Sequence, residues 1–280
     1  MEENKGLLFR IKQTDLIRVA AYPFVNGLRL FRKWFYRYGK EAKKIRKLRG
    51  IHRGQRCFII GNGPSLTPDD LTLLKDEYCF GANRVFEMFD QTPWRPTYYF
   101  CADSFVLSDQ KEKIKTLDLD YIFLHLEGKK DGLHRVNPNI TYINNYYPFM
   151  VKRYHRMKHL HVSQDVSSYF YGGETVTFTA IQMALYMGFQ EIYLVGVDHF
   201  YSRRMDSKGN FIYDPKVKDY FGSLQSKNYN IQNFEIVDDA YQAAKEYCGL
   251  HGVKIRNATR GGALEIFERE DLDEVLKKKS

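Results

Sequence analysis

Short apolar runs alternate with longer amphipathic stretches from Gln55 to the end of the chain. Short apolar runs bounded by turn residues are typical of buried parallel strands, and the stretches between them are long enough for covering helices. Seven strands are predicted: Cys57–Ile60, Tyr78–Gly81, Tyr98–Cys101, Tyr121–Leu124, Ile140–Ile143, Ile192–Val197 and Val253–Ile255. Two of the predicted helices are Thr175–Met187 and Glu235–Leu250. The pattern predicts an α/β fold with a mostly parallel sheet.

A glycine-containing turn, residues 61–65, follows the first predicted strand. Gly61 and Gly63 allow the backbone to turn tightly and to approach a ligand closely. Thr67 is placed as the N-cap of the next helix, with Asp70 three residues later. Exposed amides at such a junction suit a phosphate group. The third glycine of the dinucleotide fingerprint is absent, so a purely structural turn is the open alternative.

Short polar side chains follow most of the predicted strands. They are Asn62, Asn83, Asp103, Asn144 with Asn145, Asp198 and Asn257. Because ligands of open α/β sheets bind outside the carboxyl edge, we expect these side chains to converge on one crevice. Ordinary turn chemistry is the alternative, since Asn and Asp favour loops for local reasons.

Two further segments carry candidate ligand contacts at the same edge. Thr175 and Thr177 begin a predicted helix, where they would cap it or donate to a phosphate or carboxylate. Arg260, before Gly261 and Gly262, would clamp a phosphate or a sugar carboxylate. The alternative for Arg260 is a salt bridge to Glu265 or Asp198.

Positive charge is concentrated at the amino end of the chain. Residues 1–56 contain 16 Lys and Arg against 4 Asp and Glu, of 43 and 34 in the whole chain. The remainder is slightly acidic, which argues against a nucleic-acid groove on the main body. We expect an N-terminal extension, residues 1–50, and a nucleotide-binding catalytic domain, residues 51–280.

The extension is predicted to form a basic amphipathic helix. Apolar residues at helical spacing are Phe24, Leu28, Phe31 and Phe35, and basic residues lie among and after them. Trp34, Tyr36 and Tyr38 are interpreted as interfacial aromatics. Either residues 7–40 contact a membrane surface, or the helix packs on the body. No apolar run is long enough to span a bilayer and no cleavage site follows one, so we expect a cytoplasmic protein, peripheral on the inner face of the membrane.

Cysteine and histidine spacing gives no metal-binding pattern. The four cysteines form no CxxC pair and are expected to be reduced core residues. Asp118-Leu119-Asp120 spells a DxD, but it precedes a predicted strand and would lie at the wrong edge of the sheet. We therefore expect no metal site and no cofactor.

Three segments carry a family resemblance: Gly61-Asn62-Gly63-Pro64-Ser65-Leu66, Gly81-Ala82-Asn83, and residues 187–198, which end in Gly196-Val197-Asp198. They resemble the bacterial sialyltransferases of glycosyltransferase family 42. They also resemble the wider group with the domain of unknown function 115, which includes the 6-hydroxymethylpterin diphosphokinase MptE-like enzymes and flagellin-modifying transferases. The resemblance covers roughly residues 52–270 and implies a Rossmann-like sheet, a variant of the GT-A type, without a metal-binding DxD.

This resemblance implies a CMP-activated sugar as the donor. Asn62 and Asn83 would hold its ribose and phosphate region, Ser65 also matches the family, and Asp103 would contact the donor. The family's general base is a histidine between the strand that ends in Gly-Val-Asp and the penultimate helix, where this chain reads Lys218-Asp219-Tyr220-Phe221-Gly222-Ser223 and has no histidine. His199 is the substitute candidate, beside Asp198, and Tyr220 would pin phosphate oxygens of the leaving group.

Three functions fit these residues. The first is a glycosyltransferase that uses a nucleotide sugar in bacterial surface polysaccharide or glycoconjugate synthesis, with a glycan or lipid-linked acceptor. The second is a pyrophosphokinase that transfers diphosphate from ATP to a pterin-type alcohol, with Asp103 and Asp198 holding magnesium. The third is a non-catalytic scaffold that binds a nucleotide sugar. The oligomeric state is left open.

Overall fold

The computed structural model describes residues 27, 31, 34–146, 160–205, 211–214, 216–218, 221 and 232–278. Its strands are β1 (Arg56–Ile60), β2 (Cys79–Ala82), β3 (Tyr98–Cys101), β4 (Ile122–His125), β5 (Ile140–Ile143), β6 (Asn145–Tyr146), β7 (Phe170–Tyr171), β8 (Glu191–Val195), β9 (Arg203–Met205), β10 (Phe211–Tyr213), β11 (Gln232–Asn233) and β12 (Lys254–Asn257). Its α-helices are α1 (Lys40–Arg46), α2 (Pro68–Leu73), α3 (Ser104–Ile114), α4 (Val176–Met187), α5 (Phe234–His251) and α6 (Leu272–Lys277). Short 3-10 helices cover Val85–Met88, Leu126–Asp131 and Leu133–Arg135.

The central sheet has seven strands in the order β12-β8-β1-β2-β3-β4-β5. Every neighbouring pair is parallel. The chain runs outward from β1 through β5 and then returns to place β8 and β12 on the other side. The topological switch point therefore lies between β1 and β8, where an open α/β sheet leaves room for a ligand at its carboxyl edge.

All seven predicted strands are confirmed, with ends that differ by no more than about two residues, the usual uncertainty of such boundaries. The two predicted helices correspond to α4 and α5. Two small sheets were not predicted: β6 with β7, and β10 with β9 and β11. Their strands have two or three residues each, too few to show an alternating pattern.

The sheet is buried on both faces because its strands are apolar at successive positions. In β1, Cys57 and Ile59 pack on the side of α1, α4 and α5, while Phe58 and Ile60 pack on the side of α2, α3 and α6. This two-sided burial is what the continuous apolar runs of a parallel sheet require. The four cysteines are buried and unpaired, as predicted.

The described part of the N-terminal extension packs on the body. Tyr36, Ala42 and Ile45 belong to the core on the α1 side. The Tyr36 hydroxyl donates to the carbonyl of Tyr142, at 2.6 Å, so the interpretation of Tyr36 as an interfacial aromatic is wrong. The division at residue 50 stays a prediction, and Phe24 and Leu28 lie outside the described residues. No described helix has the length and apolar character that crossing a membrane requires.

Candidate functional site

Two glycine-containing loops leave the sheet side by side at the switch point. The amide of Gly61 donates to the carbonyl of Val195, at 2.8 Å, and the amide of Gly63 donates to that of Gly196, at 2.9 Å. A Cβ atom on Gly61 would lie 2.2 Å from the Gly196 carbonyl oxygen, and one on Gly63 would lie 1.8 Å from an Asp198 carboxylate oxygen. Both glycines are therefore required by the packing of one loop on the other. A phosphate contact at this turn stays a prediction.

Asp198 joins these loops through its carboxylate. Its Oδ2 accepts hydrogen bonds from the Ser65 hydroxyl, at 2.8 Å, and from the Ser65 amide, at 3.3 Å. Its backbone carbonyl accepts from the amide of Ala263, at 2.8 Å. Burial raises the pKa of the Asp198 carboxyl, and the hydrogen bonds from Ser65 act in the opposite direction. Asp198 thus links three segments of the carboxyl edge, through its carboxylate to Ser65 and through its backbone carbonyl to Ala263.

Asn62 and Asn83 present two buried oxygen atoms at the ends of neighbouring strands. The amide nitrogen of the Asn62 side chain donates to the carbonyl of Ala82, at 2.9 Å, which fixes the amide orientation. The Oδ1 atoms of both asparagines are buried and have no hydrogen-bond partner among the described residues. Such atoms are rare in native proteins because each costs free energy. They are suited to accept hydrogen bonds from a ligand.

Backbone strain is concentrated at this edge of the sheet. Among the described residues, the three non-glycine residues with positive φ are Asn83, Glu174 and His199, at 49°, 52° and 59°. Asn83 follows β2, Glu174 precedes α4, and His199 follows β8. Left-handed conformations of ordinary residues cluster at functional sites, where the surrounding structure maintains them. The strain therefore indicates the same crevice as the unpaired asparagine oxygens.

His199 forms a hydrogen-bonded pair with Asp238. Its Nε2 lies 2.8 Å from the Asp238 Oδ1, and its ring packs edge-on against Phe234 and Tyr241. Burial lowers the pKa of the imidazole, and the Asp238 carboxylate opposes that change. The Nδ1 atom is buried and has no hydrogen-bond partner in the part of the chain that the structure describes. When Nε2–H donates to Asp238, Nδ1 keeps its lone pair and is able to accept a proton.

Sequence reasoning missed Asp238. A signal was present, because two adjacent acids, Asp238 and Asp239, stand in the early turns of the predicted helix. Nothing local connects them to a histidine 39 residues earlier. The fold makes the connection by directing the start of α5 toward the loop after β8.

Tyr241 connects the amino end of α4 to His199. Thr175 is the N-cap, and its hydroxyl accepts a hydrogen bond from the Thr177 amide, at 3.3 Å. The hydroxyls of Thr175 and Tyr241 are 3.4 Å apart, and the Tyr241 ring contacts the His199 ring. The capping alternative is confirmed for Thr175. Ligand contacts by Thr175 and the buried Thr177 stay predictions.

The remaining candidates lie in different surroundings. Asp103 is the N-cap of α3, and its Oδ1 accepts from the amides of Phe105, at 2.7 Å, and Val106, at 3.2 Å. Asn257 is buried and bonded to its own loop, with its side chain donating to the Leu264 carbonyl, at 2.8 Å. Tyr220 lies outside the described residues. In the part of the chain that the structure describes, no three His, Cys, Asp or Glu side chains gather as a metal site would need.

Arg260 requires a correction. Its guanidinium is paired with the buried Asp70, at 2.7 Å, and with Asp273, at 2.7 Å. These pairs join α2 to α6 and occupy the nitrogens that were expected to hold a phosphate. The predicted salt-bridge alternative, with Glu265 or Asp198, is wrong in its partners. Arg269 is the residue that pairs with Glu265.

One family of known proteins matches this chain. The family model described as 6-hydroxymethylpterin diphosphokinase MptE-like matches residues 34–204. No curated protein sequence matches the chain.

Two similar solved structures are of the sialyltransferase CstII from Campylobacter jejuni. The structure with cytidine-5'-monophosphate has 18% sequence identity and a TM-score of 0.44, over 78% of this chain and 85% of that one. The structure with CMP-3FNeuAc has 14% identity and a TM-score of 0.42, over 77% and 85%.

Proposed function

This chain belongs to the 6-hydroxymethylpterin diphosphokinase MptE-like family, which indicates a transferase, and on that premise we propose that it transfers a sugar from a nucleotide to an acceptor hydroxyl. The observation that carries the proposal is the pair of His199 and Asp238. It supplies an oriented imidazole at the carboxyl edge of the sheet, with an Nδ1 atom that no described residue hydrogen-bonds. A transferase that acts on a hydroxyl needs such a base.

His199 acts as the general base in this proposal. Because burial lowers its pKa below the usual 6.5, the imidazole is neutral at pH 7 and ready to accept a proton. Nδ1 takes the acceptor's proton while the acceptor oxygen bonds to the anomeric carbon. The bond from that carbon to the donor phosphate breaks, and the phosphate leaves with the bonding electron pair. Asp238 orients the ring and stabilises the imidazolium that forms.

The two asparagines hold the nucleoside part of the sugar donor. The buried Oδ1 atoms of Asn62 and Asn83 are acceptors, so they are suited to ribose hydroxyls or to an amino group of the base. The resemblance of residues 61–66 and 196–198 to the family 42 sialyltransferases makes a CMP-linked sugar the first donor to test. The acceptor in this proposal is a glycan or a lipid-linked glycan of a surface polysaccharide.

Diphosphate transfer is the second candidate, because the family description itself names a diphosphokinase. That reaction would require Asp103 and Asp198 to hold magnesium. The Asp198 carboxylate is bonded to Ser65 and the Asp103 carboxylate caps α3. Their surroundings fit structural roles better than metal ligation.

The first experiment measures thermal stabilisation of the full chain by CMP, UDP, GDP and ATP, each with and without magnesium. A ligand at about 100 times its Kd adds about 2.7 kcal/mol, which corresponds to roughly 5 °C in Tm. We expect stabilisation by CMP without magnesium. Stabilisation by ATP that requires magnesium, with AMP as a product, would replace glycosyl transfer by diphosphate transfer.

Two substitutions test the crevice without disturbing its backbone. Asn83→Gly keeps the left-handed conformation at φ 49° and removes the unpaired oxygen. Asp103→Ser removes the charge and keeps an N-cap for α3. Asn83→Gly should weaken nucleotide binding at least about tenfold, the effect of losing roughly 1.4 kcal/mol, at a similar Tm. Unchanged affinity in both variants would exclude this crevice as the nucleotide site.

The base is tested by release of CMP from a CMP-sugar in the presence of candidate acceptors. His199→Gln should lower kcat at least about a hundredfold and leave CMP affinity unchanged. Full turnover in this variant would remove His199 from the mechanism. CMP binding by the unaltered chain without turnover of any CMP- or UDP-sugar would favour the scaffold.

A further inference from the structure

Four large aromatic side chains form an exposed cluster near the amino end of the described chain. Phe31, Trp34, Phe35 and Tyr38 are 60%, 57%, 59% and 63% exposed, and we call them the aromatic face. Their rings contact one another, with centroids 4.8 Å apart for Phe31 and Phe35 and 5.4 Å apart for Trp34 and Tyr38. Isolated exposed apolar residues are common in soluble proteins, but a contiguous aromatic cluster usually marks an interaction surface.

The aromatic face is held in a fixed orientation by the opposite side of the same segment. Tyr36, between Phe35 and Tyr38, is buried and bonded to the Tyr142 carbonyl at the carboxyl end of β5. Lys44 donates to the carbonyls of Pro138 and Ile140 at the other end of that strand, at 3.2 and 3.1 Å. The aromatic part of the segment therefore joins the sheet at its carboxyl edge, the edge that carries the crevice.

Exposed basic residues lie within and directly after the aromatic face along the chain. Arg37, Lys40, Lys43 and Lys47 are all exposed. Glu41 is the acidic residue among them, and its carboxylate is directed to Lys129, at 3.0 Å, and to the backbone of Tyr142. The described residues of this segment therefore carry a net positive charge.

We propose that the aromatic face docks on the surface of an anionic lipid bilayer and turns the crevice edge of the sheet toward it. Trp and Tyr prefer the headgroup region, and exposed Lys and Arg are attracted to anionic lipid. A protein partner would account for the aromatic cluster, but a bilayer accounts for the aromatic cluster and the basic surroundings together. Docking requires no particular sugar donor, so its test is independent of the proposed reaction.

The two tryptophans provide a site-specific signal for docking. Trp34 is 57% exposed and Trp94 is fully buried, so a change of fluorescence on addition of lipid reports Trp34. With the full chain, vesicles of phosphatidylcholine containing one-fifth phosphatidylglycerol should shift the emission to shorter wavelength and carry the protein upward in a flotation gradient. Pure phosphatidylcholine and high salt should each reduce both effects, because the basic residues contribute by screened attraction.

Paired variants separate the aromatic and the charge contributions. Phe35→Ser with Tyr38→Ser retains Trp34 and should lower the partition coefficient about a hundredfold. Lys40→Gln with Lys43→Gln should lower it about fivefold for each residue. Leu73→Ser is the control, since Leu73 is 52% exposed on α2, on the opposite side of the sheet, and it should bind vesicles like the unaltered chain.

Two results would overturn the proposal. One is the absence of both flotation and an emission shift with anionic vesicles. The other is a dimer, detected by light scattering, that the Phe35→Ser and Tyr38→Ser pair dissociates, since the aromatic face would then be an interface between two copies. Thermal denaturation of each variant confirms that the fold is retained.

Discussion

The Asp198 carboxylate and the Ser65 hydroxyl connect the two loops at the switch point of the sheet, across 2.8 Å between Oδ2 and Oγ. The two residues are 133 positions apart in the chain. Ser65 follows β1 and Asp198 follows β8, which are neighbours in the sheet. Because Asp198 is buried, this bond compensates a carboxylate that would otherwise lose its hydration without a partner.

Removal of the Ser65 hydroxyl should therefore destabilise the fold. We expect Ser65→Ala to lower the free energy of unfolding by about 2 kcal/mol, the usual contribution of a hydrogen bond to a charged group. Urea denaturation measures the change. Ser108→Ala, at an exposed position of α3, is the control and should change the stability little. Equal stability of the two variants would show that Asp198 does not depend on Ser65.

Alanine substitutions at two glycines should change the stability of the protein in opposite directions. Gly63→Ala would place a Cβ atom 1.8 Å from the Asp198 carboxylate and 2.8 Å from the Gly196 carbonyl oxygen. The loops must separate, and we expect a loss of more than about 3 kcal/mol of stability. Gly249 lies in α5 with nothing within 4 Å of the added atom, so Gly249→Ala should stabilise the protein by up to about 1 kcal/mol. Calorimetry of both variants tests the pair, and a tolerated Gly63→Ala would contradict the close approach.

The pH dependence of His199 has a defined sign. Burial lowers the pKa of the imidazole in the folded state below the usual 6.5, so the unfolded state binds more protons between the two pKa values. The stability that neutral His199 contributes above pH 6.5 is therefore lost as the pH falls from 6.5 through the lower pKa of the folded state. His199→Gln should reduce this loss. The comparison needs the variant because burial also lowers the pKa of His52.

Asp238 should oppose the pKa shift of His199. Its carboxylate favours the charged imidazole, so Asp238→Asn should lower the His199 pKa further, as measured by NMR of the ring protons against pH. Asp239→Asn, at the neighbouring exposed position, keeps the bond of His199 to Asp238 and serves as the control. A pKa that rises in Asp238→Asn would contradict the pairing.

Arg260 should matter for stability and little for nucleotide binding. Arg260→Met leaves the buried Asp70 without its cation, and we expect a loss of about 2 kcal/mol, moderated by the partial exposure of the arginine. Lys75→Met is the control: it removes an exposed cation just after α2, the helix that carries Asp70, and should change the stability little. A large loss of nucleotide affinity at unchanged stability would restore Arg260 to the site.

The sequence determined what depends on local pattern. The seven strands, the cap of α2 by Thr67 and Asp70, and the cap of α4 by Thr175 were all predictable. Each depends on residues close together in the chain: apolar runs that must be buried, or a side chain that reaches an amide two or three residues later. The carboxyl-edge positions of Asn62 and Asn83 follow from the same local reasoning.

The tertiary structure decided which of those residues meet. Only the sheet order brings Asp238 to His199, 39 residues away, and Asp70 to Arg260, 190 residues away. It also turned Tyr36 into the core while Trp34 and Phe35 stayed exposed. A side chain's role depends on the charge and the burial that distant segments impose on it. The order of residues in the sequence does not show which distant segments supply that charge and burial. The partners of Arg260 and His199 could therefore be identified only in the folded protein.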